Sequence, residues 1–151
     1  MRIPYKIISF LMFVPLMCGF EVSNAHDKSA VEVVNLFDSH YGGPEMDVIA
    51  GYTTAKFRLN RPKSVWVVDV WQALKKMKYK RVSNAVVKSK VNGKKKTVIL
   101  VEAKIKINEK ETTQKEIYYL IQAGKKWLID DLVVVDGDID LEEISDLQAG
   151  K

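Results

Sequence analysis

Three kinds of residue in this 151-residue chain could do chemistry: closely spaced carboxylates, scattered aromatic rings and runs of lysine. Asp136, Asp138 and Asp140 have the D-x-D-x-D start of a calcium loop. The sixth position of such a loop requires glycine and holds Leu141, and the twelfth requires glutamate and holds Leu147. A solvated turn entering a short final helix, capped by Asp138 or Asp140, fits these residues better than a metal site. Zinc needs three or four nitrogen, sulfur or carboxylate ligands, and His26 and His40 have no partner in the pattern. His40 instead fits a cation at the end of a helix. A G-x-S-x-G turn is lacking and the one cysteine is Cys18, so nucleophilic catalysis has no foothold and no cofactor is implied.

Acid and base chemistry has more to work with. Asp69 lies between Val68 and Val70, and Asp130-Asp131 interrupts an apolar run. A carboxylate forced into an apolar pocket has a raised pKa and serves as a general base. The ordinary places for these groups are the polar face of a helix and the wet face of a sheet. Tyr52, Trp66, Trp71, Tyr118, Tyr119 and Trp127 are candidates to line a pocket, and equally to fill a core. Lys75, Lys76, Lys78, Lys80 and Arg81 form one basic cluster and Lys94, Lys95 and Lys96 another. Aromatic residues are not interleaved with these lysines as base stacking requires, which argues against nucleic acid. Anionic lipid, an acidic partner or plain solvent suits them better.

The first 25 residues read as an export leader. Arg2 and Lys6 are basic, Ile7 to Phe20 is an apolar run, and Ser23-Asn24-Ala25 puts small residues at a cleavage point before His26. The run holds 14 residues and Pro15, short of the roughly 20 that span a bilayer as a helix. The expected mature form therefore has no transmembrane segment and is periplasmic or secreted. A lipid-bearing Cys18 is not expected, because Met17 precedes it where lipoprotein signals have a small residue. Removal of the leader leaves 26–151 without cysteine, and the loss of Arg2, Lys6 and Glu21 lowers the net charge from +5 to +4. That length suits one domain, ending in an acidic tail from about residue 136.

The elements that must position these groups begin with helices. Ser29 and Glu32 have capping-box spacing, and Ala30, Val34, Phe37 and Tyr41 follow at helical spacing before Gly42-Gly43-Pro44. A second amphipathic stretch carries Met46, Ile49, Ala50, Thr53 and Phe57 and ends before Pro62. From about Lys63 to Lys78 a third stretch puts Val67, Val70, Trp71, Leu74 and Met77 on one stripe, with Trp66 beside it. Val65 to Trp71 also has strand propensity; the Gln72 to Lys78 continuation favours helix. Strands then follow over Val82 to Val91, Thr97 to Asn108, Ile117 to Ile121 and Trp127 to Val135. Asn92-Gly93 marks the first hairpin, and a polar turn from Asn108 to Gln114 marks the second. The expected fold is α+β: two or three N-terminal helices packed on a curved antiparallel meander of about four strands.

Gly124-Lys125-Lys126-Trp127-Leu128-Ile129, flanked by Tyr118-Tyr119-Leu120-Ile121 and Leu132 to Val135, resembles the last two strands of exported members of the nuclear-transport-factor-two-like superfamily. That resemblance implies a cone-shaped domain with a pocket at its open end. The superfamily includes isomerases, dehydratases, ligand binders and assembly domains, so it leaves function open. None of the pocket acids or tyrosines of its enzymes aligns onto a residue here. The expectation is a non-enzymatic exported domain that binds a partner protein, an envelope component or a small apolar ligand. The alternative is a small isomerase or lyase using Asp131 with a tyrosine.

Overall fold

A computed structural model describes residues 27–135. The expected leader with Cys18, the expected cleavage point at Ala25 and His26, and the acidic run with Asp136, Asp138 and Asp140 lie outside the described residues. Three helices precede four strands: α1 (Ala30–His40), α2 (Met46–Ala50), α3 (Lys63–Lys76), β1 (Lys80–Val91), β2 (Lys96–Ile107), β3 (Lys110–Ala123) and β4 (Lys126–Val135). The strands form one antiparallel sheet in the order β1-β2-β3-β4, and the architecture is the expected α+β meander.

The start of α1 is fixed by its own residues. Ser29 Oγ accepts from the Glu32 backbone N–H at 3.2 Å, and the Glu32 carboxylate accepts from the Ser29 N–H at 2.7 Å, so two otherwise unpaired donors are satisfied. The helix closes at Tyr41, whose N–H donates to Phe37 O, and Gly42 turns the chain at φ +80°. α2 is shorter than the amphipathic pattern predicts. Thr53 leaves the helix to lie beside β4, with Thr54 N–H donating to Ile129 O and Ile129 N–H to Tyr52 O, while Leu59 and Asn60 turn at φ 53° and 60°. Pairing with a strand edge outweighs the helical period there. Val65 to Trp71 is helical, as favoured, but α3 buries Trp66 and Leu74 and leaves Trp71 and Met77 at the rim.

β2 alternates as the sequence requires. Ile99, Val101, Ala103 and Ile105 are buried beneath the helices, and Glu102 and Lys104 are exposed on the other side. The first half of that outer face is apolar, with Val98 and Leu100 beside Ile117. β3 begins at Lys110, earlier than expected. The turn before it needs only Asn108 and Glu109, both at positive φ (48° and 70°), which matches the twist of a two-residue hairpin, and residues 110–116 therefore pair with β2. The main core gathers Val33, Val34, Phe37, Ile49, Trp66, Ile99, Val101, Tyr118, Leu120 and Ile129.

Truncating the centre of this core is expected to be costly. Ile99→Ala should lower unfolding stability by about 2–5 kcal/mol in urea titrations. Val87→Ala, at a side chain 57% exposed, should change it by less than about 0.5 kcal/mol.

Candidate functional site

The most chemically distinctive group of side chains lies where the end of α1 meets the sheet. Asp38 is one turn on from Val34 and so shares the face of α1 that the sheet covers. Glu116 and Tyr118, two apart on β3, point to that same side, and Gln114 precedes them at the same period. Arg81 and Asn84 come from β1. Their odd spacing would put them on opposite faces of a regular strand, but a bulge between Arg81 and Ser83 inserts one residue and turns both toward Asp38.

The result is a buried ionic network. Arg81 Nη2 lies 3.1 Å from Asp38 Oδ1 and 3.1 and 2.9 Å from the two Glu116 oxygens. Tyr118 OH lies 2.6 Å from Asp38 Oδ1 and 2.9 Å from Glu116 Oε2, and one hydroxyl proton serves the pair. Asn84 Nδ2 donates to Asp38 Oδ2 at 3.1 Å and Gln114 Nε2 to Glu116 Oε1 at 2.6 Å. The side chains of Asp38, Glu116 and Arg81 are 0%, 3% and 8% exposed. Arg81 Nε and Nη1 are buried with no hydrogen-bond partner among the described residues.

Burial dominates the electrostatics. It raises the Asp38 carboxyl to about 6, even though Arg81 and the Tyr118 and Asn84 hydrogen bonds pull the other way. It pushes Tyr79 up to about 12, and lifts Tyr118 well above the ordinary phenol, with Asp38 and Glu116 adding to the effect. For Arg81, burial opposes the charge, yet Tyr118, Asp38 and Glu116 together hold its pKa above the usual value.

Beside this network an open cleft of ≈ 360 Å³ runs between the end of α1 and the first half of β1, bordered by Asp38, Tyr41, Gly42, Tyr79, Arg81 and Asn84. The Tyr41 and Tyr79 rings meet edge to face at 5.8 Å. Gly42 permits this wall: a Cβ there would lie 3.0 Å from the Tyr79 ring.

The residues singled out from sequence are dispersed. Tyr52 and Trp127 come together in a second cleft of ≈ 250 Å³ at the opposite end of β4, with Lys126 Nζ 4.3 Å above the Tyr52 ring. Trp66 is in the core against Phe57, and Trp71 is at the surface under Lys75. Tyr119 and Asp131 face one another across β3 and β4, and Asp131 is 46% exposed and 3.6 Å from Lys56. Asp130 accepts from Thr54 and Lys56, Asp69 pairs with Arg61 at 2.9 Å, and His40 Nδ1 lies 2.9 Å from Glu45. No group of three His, Asp or Glu converges among the described residues.

Of this network the sequence singled out Tyr118, as a pocket candidate, and Arg81, within a basic cluster, but not Asp38, Glu116 or their convergence. Two signals for it existed: Asp38 falls i+4 from Val34 on the apolar stripe, and Arg81 is the one arginine in a lysine run.

No family model matches the chain, and no curated protein matches it in sequence. Solved structures do match in fold. A SEC-C motif-containing protein from Rhodopseudomonas palustris is 16% identical with a TM-score of 0.57, over 72% of this chain and 80% of that one. A domain of unknown function with a cystatin-like fold from Nostoc punctiforme is 12% identical with a TM-score of 0.50, over 79% of this chain and 78% of that one. A Bdellovibrio bacteriovorus protein is 7% identical with a TM-score of 0.52, over 73% of this chain and 40% of that one. The likeness is one of fold: the cystatin-like α+β architecture to which the superfamily resemblance pointed.

The raised pKa of Asp38 has a definite sign in stability. Its folded value of about 6 exceeds the ordinary 3.8, so between these values the folded state holds the proton more tightly. The contribution is full below the ordinary carboxyl pKa and is lost as pH rises through the folded one. The Asp38 contribution to stability should therefore fall with a limiting slope of about 1.4 kcal/mol for each step of one in pH between roughly pH 4 and 6. Asp38→Asn should flatten that slope in urea titrations across the same window; parallel slopes would refute the assignment.

Proposed function

We propose that this chain is an exported, non-enzymatic binding domain whose cleft between α1 and β1 holds a small polar ligand. The leader-like first 25 residues support export. The observation that carries the binding reading is the open cleft of ≈ 360 Å³, bordered by Arg81 and Asn84 and by Tyr41 and Tyr79. Two carboxylates already offset the single Arg81 charge, so a further anion is disfavoured and a neutral carbonyl or hydroxyl group fits. Tyr41 and Tyr79 supply apolar ring surface next to the polar side chains of Ser39 and Asn84. The polar lining favours such a ligand over the small apolar one that the sequence also suggested.

A small isomerase or lyase is the second reading, and one observation favours it. Asp38, raised to about 6, lies beside the buried Tyr118 hydroxyl, a carboxylate and phenol in contact. Both Asp38 oxygens are engaged and its side chain is wholly covered, so a substrate would have to displace Asn84 or Arg81 to reach it. Asp131 with Tyr119 is a poorer seat for such chemistry, because the pair lies on the face of the sheet away from this cleft.

Native mass spectrometry of the protein purified from its own host tests the binding reading. The wild type should carry a bound small molecule, and Ser39→Trp, which puts a large ring at an exposed position of α1 bordering the cleft, should carry none. A bare mass for the wild type under gentle conditions would count against the proposal.

A further inference from the structure

We infer that the end of the domain bearing the 92–95 and 124–125 turns is a docking face for an anionic phospholipid surface. This face is separate from the Arg81 cleft and does not depend on it. Three sequence-distant groups of lysine meet there. Lys94, Lys95 and Lys96 belong to the β1-β2 hairpin, Lys125 and Lys126 to the β3-β4 hairpin, and Lys28 to the entry into α1; all six are exposed. The two hairpins are side by side, since Gln122 N–H donates to Lys95 O at 2.8 Å and Gln122 pairs across with Trp127. Lys28, Lys125 and Lys126 border one cleft together with Tyr52, Trp127 and Asp27.

Charge balance marks this end off from the other. Lysines at the opposite end are interleaved with acids, as in Lys104 with Glu111 at 3.3 Å and Lys106 with Glu109 at 2.7 Å. At the hairpin end Asp27 borders the cleft, Glu32 caps the Ser29 N–H, and Asp130 and Asp131 both lie against Lys56, so none of these carboxylates belongs to either hairpin tip. β4 carries the chain about 30 Å from this end before the acidic run begins. Clustered lysines are attracted to anionic headgroups, and Trp and Tyr prefer the same interfacial depth.

Tyr52 and Trp127 beside these lysines select lipid over an acidic protein, because such rings settle at headgroup depth. Asp27 and Lys28, where the described chain enters the domain, lie on this same face, and the apolar run ending at Phe20 precedes them by a few residues.

The full chain, produced with its leader and purified in the form the exporting host yields, is floated with vesicles of phosphatidylcholine alone or with phosphatidylglycerol. Binding should require phosphatidylglycerol and fade as salt is raised from about 0.05 to about 0.5 M. Lys94→Gln, Lys95→Gln and Lys125→Gln should each weaken partitioning about fivefold. Lys104→Gln and Lys110→Gln, at the far end, should leave it unchanged, and all five variants should keep the wild-type urea midpoint. Equal retention on both vesicle types, or equal loss from near-end and far-end variants, would overturn the inference. So would capture by polyglutamate without retention on phosphatidylglycerol, which would assign the face to an acidic protein.

Discussion

The fold is organised around the need to keep the Asp38, Glu116 and Arg81 charges in contact once they are out of water. None of the three is tolerable alone in such a place, since a buried ion without its partner destabilises a protein by several kcal/mol. They come from α1, β3 and β1, so the network closes only when the helix lies across the sheet and the edge strand has its bulge. Apolar burial supplies the larger driving force, but it is tolerant of small shifts. The hydrogen bonds of Tyr118, Asn84 and Gln114 are not, and they fix how α1 is seated.

Much of the scaffold was legible because local signals and long-range packing agree. The capping box at Ser29, the stop at Gly42, the alternation of β2 and the Asn92-Gly93 hairpin all act within a few residues. Where the two disagree the local pattern fails. Thr53 has helical spacing from Ile49 yet is drawn out by the edge of β4, and residues 110–116 are polar yet form strand because β2 is long enough to pair with them.

The site was less legible for a physical reason. A buried charge is recognisable only with its partners, and Asp38, Arg81 and Glu116 are far apart in sequence. Glu116 is hidden because the polar residues before Ile117 have the composition of a turn, and Arg81 because its lysine neighbours suggest solvent. The aromatic residues that sequence favoured are distributed between the core, the rim and the opposite end, so ring content alone did not locate the cleft.

The irregularity in β4 has a consequence of its own. Trp127 and Ile129 face the helices, and so does Leu132, although an unbroken strand would send odd and even positions to opposite sides. Asp130 is the spare unit that resets the phase between them. Losing or gaining a single residue there would expel either the first two side chains or the third into solvent, so the count of residues between Ile129 and Leu132 is as constrained as their identity.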